Sequence, residues 1–261
     1  MELWLLNHLS TPVLALIVVG GIVALALAGS VLAYRWHPAL AEGEHNDMVG
    51  AGLGMFAAIY GIILAFVVVT LWTEADEAET VVANESTYLA QMVRDSRAFP
   101  PAQRARMEGA VSAYVHAVAE VQWPLMREGR PRYGATEKAM DDMFAALNAF
   151  EPRTERQKAF HRETISDINK VVAERRARLT KARQSLPGLF KVQAYGGALV
   201  VIPLTFLYGN KSRPVRLLFV GSVAALVGFS LLLVLVLDHP FSGDISVPPD
   251  AYKEGALAKF W

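Results

Sequence analysis

Two small clusters of side chains bracket one uncharged stretch of this chain, and ion chemistry is what their types could perform. His45-Asn46-Asp47 stands immediately before Met48, and Glu74, Asp76, Glu77 and Glu79 follow Trp72 with no basic residue before Arg94. Asn and Asp are favoured helix N-caps, and an acid there also complements the positive end of a helix dipole. Capping is one reading of His45, Asn46 and Asp47; a ring of such groups at a pore mouth, selecting ions, is the other. The four acids after Trp72 would oppose the dipole at an exposed helix end, so the helix is expected to continue through them. They then form a solvated face, pair with a basic helix, or collect cations in an acidic vestibule. Calcium, a hard ion taking oxygen ligands, is the metal such groups could hold, with Asp238 and Asp244 as further contributors. No EF-hand spacing occurs, His45 lacks partners at zinc-like spacing, and no other cofactor is implied.

Between the clusters, Met48–Trp72 carries no charge. At about 1.5 Å per residue it is long enough to cross a bilayer core of about 30 Å. Its small residues, Gly50, Gly54, Ala57, Gly61 and Ala65, share one helical stripe. Such residues let helices approach closely, so this stripe is expected to be a packing seam, within one subunit or between subunits. Phe56, Ile59, Tyr60, Ile63, Val67 and Thr70 lie opposite. They face lipid or neighbouring helices, or they form a hydrophobic constriction if copies of this span surround an axis.

Three further apolar segments, Pro12–Ala33, Leu189–Gly209 and Leu217–Leu237, meet the same length rule, with Lys191 the one charge among them. The composition, 53% apolar and 19% charged, fits a membrane protein. The first segment follows no Lys or Arg and exceeds a signal-peptide core, so it is expected to be retained despite Ala26-Leu27-Ala28. Zero net charge gives no bulk attraction to nucleic acid. The absence of cysteine excludes disulfides, thiolate metal sites and thiol nucleophiles. No Walker loop, HExxH, dinucleotide fingerprint or nucleophile elbow occurs, and His116 and His161 are isolated, so an enzyme is not expected.

The polar block between the second and third spans reads as a helical bundle. One helix continues from span two with Val81, Tyr88, Leu89, Met92 and Phe99 inward, until Pro100-Pro101 stops it. A second carries Met107, Val111, Tyr114, Val118, Val121 and Leu125, with a break at Trp123-Pro124 and a turn at REGRPRYG. A third carries Met140, Phe144, Leu147 and Phe150. The fourth runs from near Pro152 to Leu186, with Ile165, Ile168, Val172, Leu179, Ala182 and Leu186 spaced by threes and fours. Pro187-Gly188 predicts a break before span three. The organisation expected is all-α: residues 1–72 holding spans one and two, 73–188 the bundle, 189–237 spans three and four, and 238–261 an irregular tail packed on the bundle or the interface.

Four spans place the bundle and both termini on one side. Arg35, Lys211, Arg213 and Arg216 lie on the other, while Lys170, Arg175, Arg176, Arg178, Lys181 and Arg183 approach span three from the bundle. Counting positive charges therefore leaves the orientation open.

HNDMVGAGLG at the start of span two, YGIILAFVVVTLW with the following DEAE, the QWP of the second bundle helix and LDHPFSGDISV after span four resemble the bestrophin-like membrane domain of bacteria. The resemblance runs from span one through Tyr252. Bestrophins are homopentameric anion channels with a cytoplasmic helical region between spans two and three. The resemblance therefore implies a homo-oligomer, with the pentamer of bestrophins as its pattern, in the inner membrane, with a cytoplasmic bundle and termini and a pore lined by span two. It sets Phe56, Ile59 and Ile63 at the hydrophobic neck. The chain departs from true bestrophins in lacking their basic-aromatic N-terminal motif and compact acidic calcium clasp, and its acidic exit suits cations better than anions. The function expected is a passive ion channel; the alternative is a sensor or scaffold whose bundle binds a partner without conduction.

Overall fold

The computed structural model describes residues 2–261, and among them every regular element is helical. A short helix α1 (Glu2–His8) precedes α2 (Thr11–Trp36), and α3 runs unbroken from Asn46 to Asp95. Then come α4 (Pro101–His116), α5 (Trp123–Arg127), α6 (Gly134–Asn148) and α7 (Glu155–Lys181), followed by α8 (Gly188–Leu204) and α9 (Arg213–Leu237). Among the described residues, four helices are long and apolar enough to span a membrane: α2, the first half of α3, α8 with its following turn, and α9.

In that layer α2 packs along α9, where a side chain on Gly228 would press on the Val19 backbone. The other contact is a stripe of α3, Tyr60, Leu64, Val67 and Leu71, against Ala194, Ala198 and Val201 of α8 and Val227, Leu231 and Val234 of α9. The small residues that admit this close approach sit on α8.

The stripe continues into the bundle as Ala78, Val82, Glu85, Leu89 and Met92. Steps of three and four over that length keep one face of α3 turned inward, first to α8 and α9 and then to α7. Residue 72 is thus no structural boundary, because backbone hydrogen bonding runs through it. The bundle core is completed by Met107, Val111, Tyr114, Val118, Trp123, Met126, Met143 and Ile168.

Four expectations about the bundle need correction. The fourth helix starts at Glu155, where Thr154 and Gln157 form a reciprocal capping box, and ends at Lys181. Ile165 and Val121 are exposed, and the inward positions on α7 include Thr164, Asp167, Arg175 and Arg178. The break near Pro124 is a wide helical turn over Ala117–Gln122, which accommodates the ring without ending the rod. The tail after Asp238 is ordered into two short turns, Pro249–Lys253 and Gly255–Phe260, and plugs the bundle with Phe241, Tyr252 and Leu257.

Inward charge on α7 is tolerable because it is paired. Arg178 is fully buried and holds Glu85 through Nε at 2.8 Å and Nη2 at 3.1 Å. Tyr114 donates to the same carboxylate at 2.7 Å, and Trp123 and Tyr252 present their rings to the guanidinium. The Tyr252 hydroxyl faces Glu85 without reaching hydrogen-bond geometry. Burial raises the pKa of both tyrosines. Burial also opposes the Arg178 charge, but Glu85 outweighs it and holds the guanidinium protonated.

Glu85→Ala leaves this cation buried and unpaired, which should cost about 3–5 kcal/mol, read as thermal or denaturant unfolding in detergent. Replacing both partners by Leu and Met should cost much less. Equal losses for the single and double variants would show that shape, not charge pairing, matters here.

Candidate functional site

The face that α3 buries determines which residues it leaves open. Tyr60 and Val67 point into the subunit; the Tyr60 hydroxyl donates to Ala194 O at 2.7 Å and its ring lies against Gly197. Both therefore leave the set of pore-facing candidates, and Ile63 is half-buried at the edge. Phe56 and Ile59 remain exposed. Gly54, Ala57, Gly61 and Ala65 are exposed too, and no neighbouring atom lies within 4 Å of the place a Cβ on Gly54 or Gly61 would take. A packing seam for these residues inside one subunit is thus overturned, since α8 and α9 approach the bulky side instead. Among the glycines of that stripe, Gly50 alone meets a neighbour, Tyr208, at 3.5 Å.

Directly opposite the buried stripe stand Met55, Ile59, Ile62, Phe66 and Val69, each more than half exposed. Their steps of four and three repeat those of the buried stripe, offset by about half a turn. Continuing outward, the same face presents Thr73, Asp76, Thr80 and Thr87. Thr73 and Thr87 donate to Val69 O and Ala83 O at 3.0 and 2.8 Å, so their hydroxyl protons are satisfied and their lone pairs remain open. One continuous face thus changes from apolar to hydroxylic at the bundle boundary. Sequence reasoning named Ile59 and passed over Met55, Ile62, Phe66 and Val69. The signal was their spacing, which was legible only once the buried face was known.

The four acids divide. Glu74 and Glu77 both bind Lys181 of α7. Burial opposes that ammonium, yet the two carboxylates raise its pKa. Asp76 and Glu79 make no ion pair among the described residues and border an open pocket of about 260 Å³ lined by Trp72, Leu237 and Ile245–Pro248. Lys181 thus offsets one of the four negative charges, and Asp76 and Glu79 are the two carboxylates left without a cation partner.

At the other end of the span, His45 occupies the N-cap position without a side-chain cap bond. Asn46 does not cap; it clamps the turn between α8 and α9, donating to Gly209 O and accepting from Gly209 N, both at 2.8 Å. Asp47 is exposed in the first turn of α3.

Where the spans meet the bundle, Asp238 acts as a hub. It accepts from Leu186 N at the break before α8, and from Lys191 Nζ at 2.6 Å. Lys191 also lies 3.5 Å from Glu2, and His239 lies 3.7 Å from Glu2. Glu2, Asp238 and His239 converge closely enough to hold a metal ion, and the Lys191 ammonium contacts both carboxylates there, offsetting one of their two charges. Asp244 is engaged elsewhere, accepting from Thr11 N at 2.9 Å and so capping α2. A calcium site built from Asp238 and Asp244 is not what these contacts assemble. His116 bridges Glu120 and Phe260 O and stacks on Trp261, and His161 packs between Phe99 and Phe150.

Residues 20–252 match the bestrophin-like domain family, and the chain belongs to it. It is a multi-pass membrane protein with four candidate spans. Its fold is similar to that of a bacterial bestrophin homologue from Klebsiella pneumoniae carrying a single substitution: 13% identity, TM-score 0.69, covering 93% of this chain and 97% of that one. A second single-substitution form of that homologue gives 14% identity and a TM-score of 0.62, covering 93% and 96%. A structure described as a membrane protein gives 12% identity and 0.66, covering 93% and 95%. A search of curated proteins returns no match.

Asp238→Asn should weaken the junction by about 1–3 kcal/mol, because Lys191 loses its charged partner. Limited proteolysis around Leu186–Leu189 reports it directly, and unchanged cleavage would show that Asp238 is not the hub.

Proposed function

We propose that this protein is a homo-oligomeric ion channel in which identical copies of α3 surround a pore. The observation that carries the reading is the unpartnered face of α3. It is apolar from Met55 to Val69, and polar from Thr73 to Thr87, where no lipid could cover it. A ring of such helices gives a dry constriction followed by a hydrated vestibule, and narrow apolar constrictions gate by dewetting. The Gly54, Gly61 and Ala65 flank beside that face lets neighbouring copies approach closely. Membership of the bestrophin-like family supports assembly around an axis.

Selectivity favours cations in this reading. Asp76 is the acid nearest the centre of the free face, and repeated around an axis it concentrates positive ions; Glu74 and Glu77 lie off that centre and share the single charge of Lys181. The bundle and both termini lie in the cytoplasm, with α3 crossing the inner membrane.

Purified protein in planar bilayers should conduct, and Phe66→Ala or Ile62→Ala should raise open-state current several-fold. Val67→Ala, at a buried position, should not. Identical currents from all three variants would remove α3 from the constriction. Asp76→Asn should shift the reversal potential in a salt gradient toward that of a non-selective pore. Glu74→Gln, which leaves Lys181 paired with Glu77 and lies away from the centre of the free face, should shift it less. The reverse ranking would place the selecting charge elsewhere.

A further inference from the structure

The REGRPRYG turn between α5 and α6 is not used by the pore, and it brings Arg127, Arg130 and Arg132 to the junction. Three contacts place it at the level of the membrane surface. The Asn7 side chain donates to Arg127 O at 2.6 Å, Ser242 Oγ donates to the same oxygen at 2.8 Å, and a side chain on Gly129 would collide with Leu3. Helix α1, which supplies Leu3 and Asn7, is itself folded onto the membrane layer. Leu5, Leu6 and Leu9 pack with Leu14 and Val19 of α2 and Leu232 and Val236 of α9. Its Trp4 stays exposed, stacked on His8, where an interfacial indole belongs.

Arg183, between α7 and α8, reaches across to the turn. Its Nη2 donates to Pro131 O at 3.1 Å, and its guanidinium lies 5.4 Å from the centre of the Tyr133 ring. Arg175 takes up a similar position, 5.5 Å from that ring, and is occupied by Glu137. Arg127, Arg132 and Arg183 are all exposed, and none has an ion-pair partner among the described residues. The nearby acids are already committed: Glu128 to Arg130, Glu137 to Arg175, Glu2 to Lys191 and Asp244 to the α2 N-terminus. The patch thus carries uncompensated positive charge at headgroup height, beside an aromatic anchor.

We propose that Arg127, Arg132 and Arg183 form a docking surface for anionic lipid headgroups of the leaflet on the bundle side. The chemistry is guanidinium recognition of phosphate, with forked N–H donors that a neutral zwitterionic surface engages more weakly. The consequence is mechanical. The turn is tied to α1, and Arg183 sits in the break between bundle and span three, so bound headgroups brace the junction. This holds whether or not the protein conducts.

The test titrates the full-length protein in detergent micelles with phosphatidylglycerol, phosphatidylcholine or inorganic phosphate. Lipid retention is read by native mass spectrometry and melting temperature by intrinsic fluorescence. Phosphatidylglycerol should be retained and raise the melting temperature. Affinity should fall by roughly fivefold per arginine lost, on the order of 100-fold for the triple Arg127→Gln, Arg132→Gln, Arg183→Gln variant. Triple replacement by Lys, which keeps the charge but not the fork, should restore only part of the binding that the Gln variant loses. Equal effects of the two lipids, or undiminished retention in the Gln variant, would overturn the proposal. Inorganic phosphate matching phosphatidylglycerol would assign the patch to a free anion instead. Should the Gln variant fail to fold, the wild-type protein still decides. Its phosphatidylglycerol affinity must drop steeply between ~50 and ~500 mM NaCl, and salt-insensitive retention would sink the idea.

Discussion

The unbroken hydrogen-bond ladder of α3 is the constraint on which the rest of the molecule depends. Fifty residues of continuous helix, roughly 75 Å at the α-helical rise, leave no swivel between membrane and bundle. Turning Tyr60 toward α8 therefore turns Leu89 toward α7, because both lie on one stripe of a rigid rod. The face left over is fixed by the same rotation, from Met55 to Thr87. Any function that uses this face inherits its direction from packing contacts made on the far side of the helix.

Two kinds of interaction hold that rotation. In the membrane layer, lipid tails compete with side chains for apolar contact, so close packing has to supply the difference. Gly197 and Ala198 of α8 do so by admitting the Tyr60 ring. In the bundle, water returns and burial drives association, but the Glu85–Arg178 pair adds direction that apolar contact lacks. A charged pair satisfied by Tyr114 tolerates little sliding, since a shift of one turn would strand both charges. Asp238 supplies the third point, tying α9 to the break before α8 and, through Lys191, to α1.

Much of the architecture was legible in the residues. Four uncharged segments and a helical polar block follow from hydropathy and period, and QWP, HNDMVGAGLG and LDHPFSGDISV carried the family. The candidate site was legible only in part. Phe56 and Ile59 were placed on an open face, while Tyr60 and Val67, at similar spacing, proved to be core. The acids after Trp72 were visible as a cluster, but their division into a paired half and a free half was not. Lys181 lies more than a hundred residues away, and only the antiparallel return of α7 brings it there. Arg175 and Arg178 read as positive charges approaching span three and are instead buried, each satisfied by acceptors on other helices.

By itself, then, the sequence determined what each segment can be: its length against the bilayer, its periodicity, and the ends it can cap. Those are local properties, set by bond geometry and transfer free energy along the chain. Tertiary structure alone decided which stripe of α3 faces inward, which carboxylates find cations, and where Asn46, Asp238 and Asp244 are used. The reason is physical. An apolar helix in lipid has no intrinsic inside, so small and bulky stripes are equally acceptable to the solvent around them. Only the partner helices, with their own glycines and charges, break that symmetry.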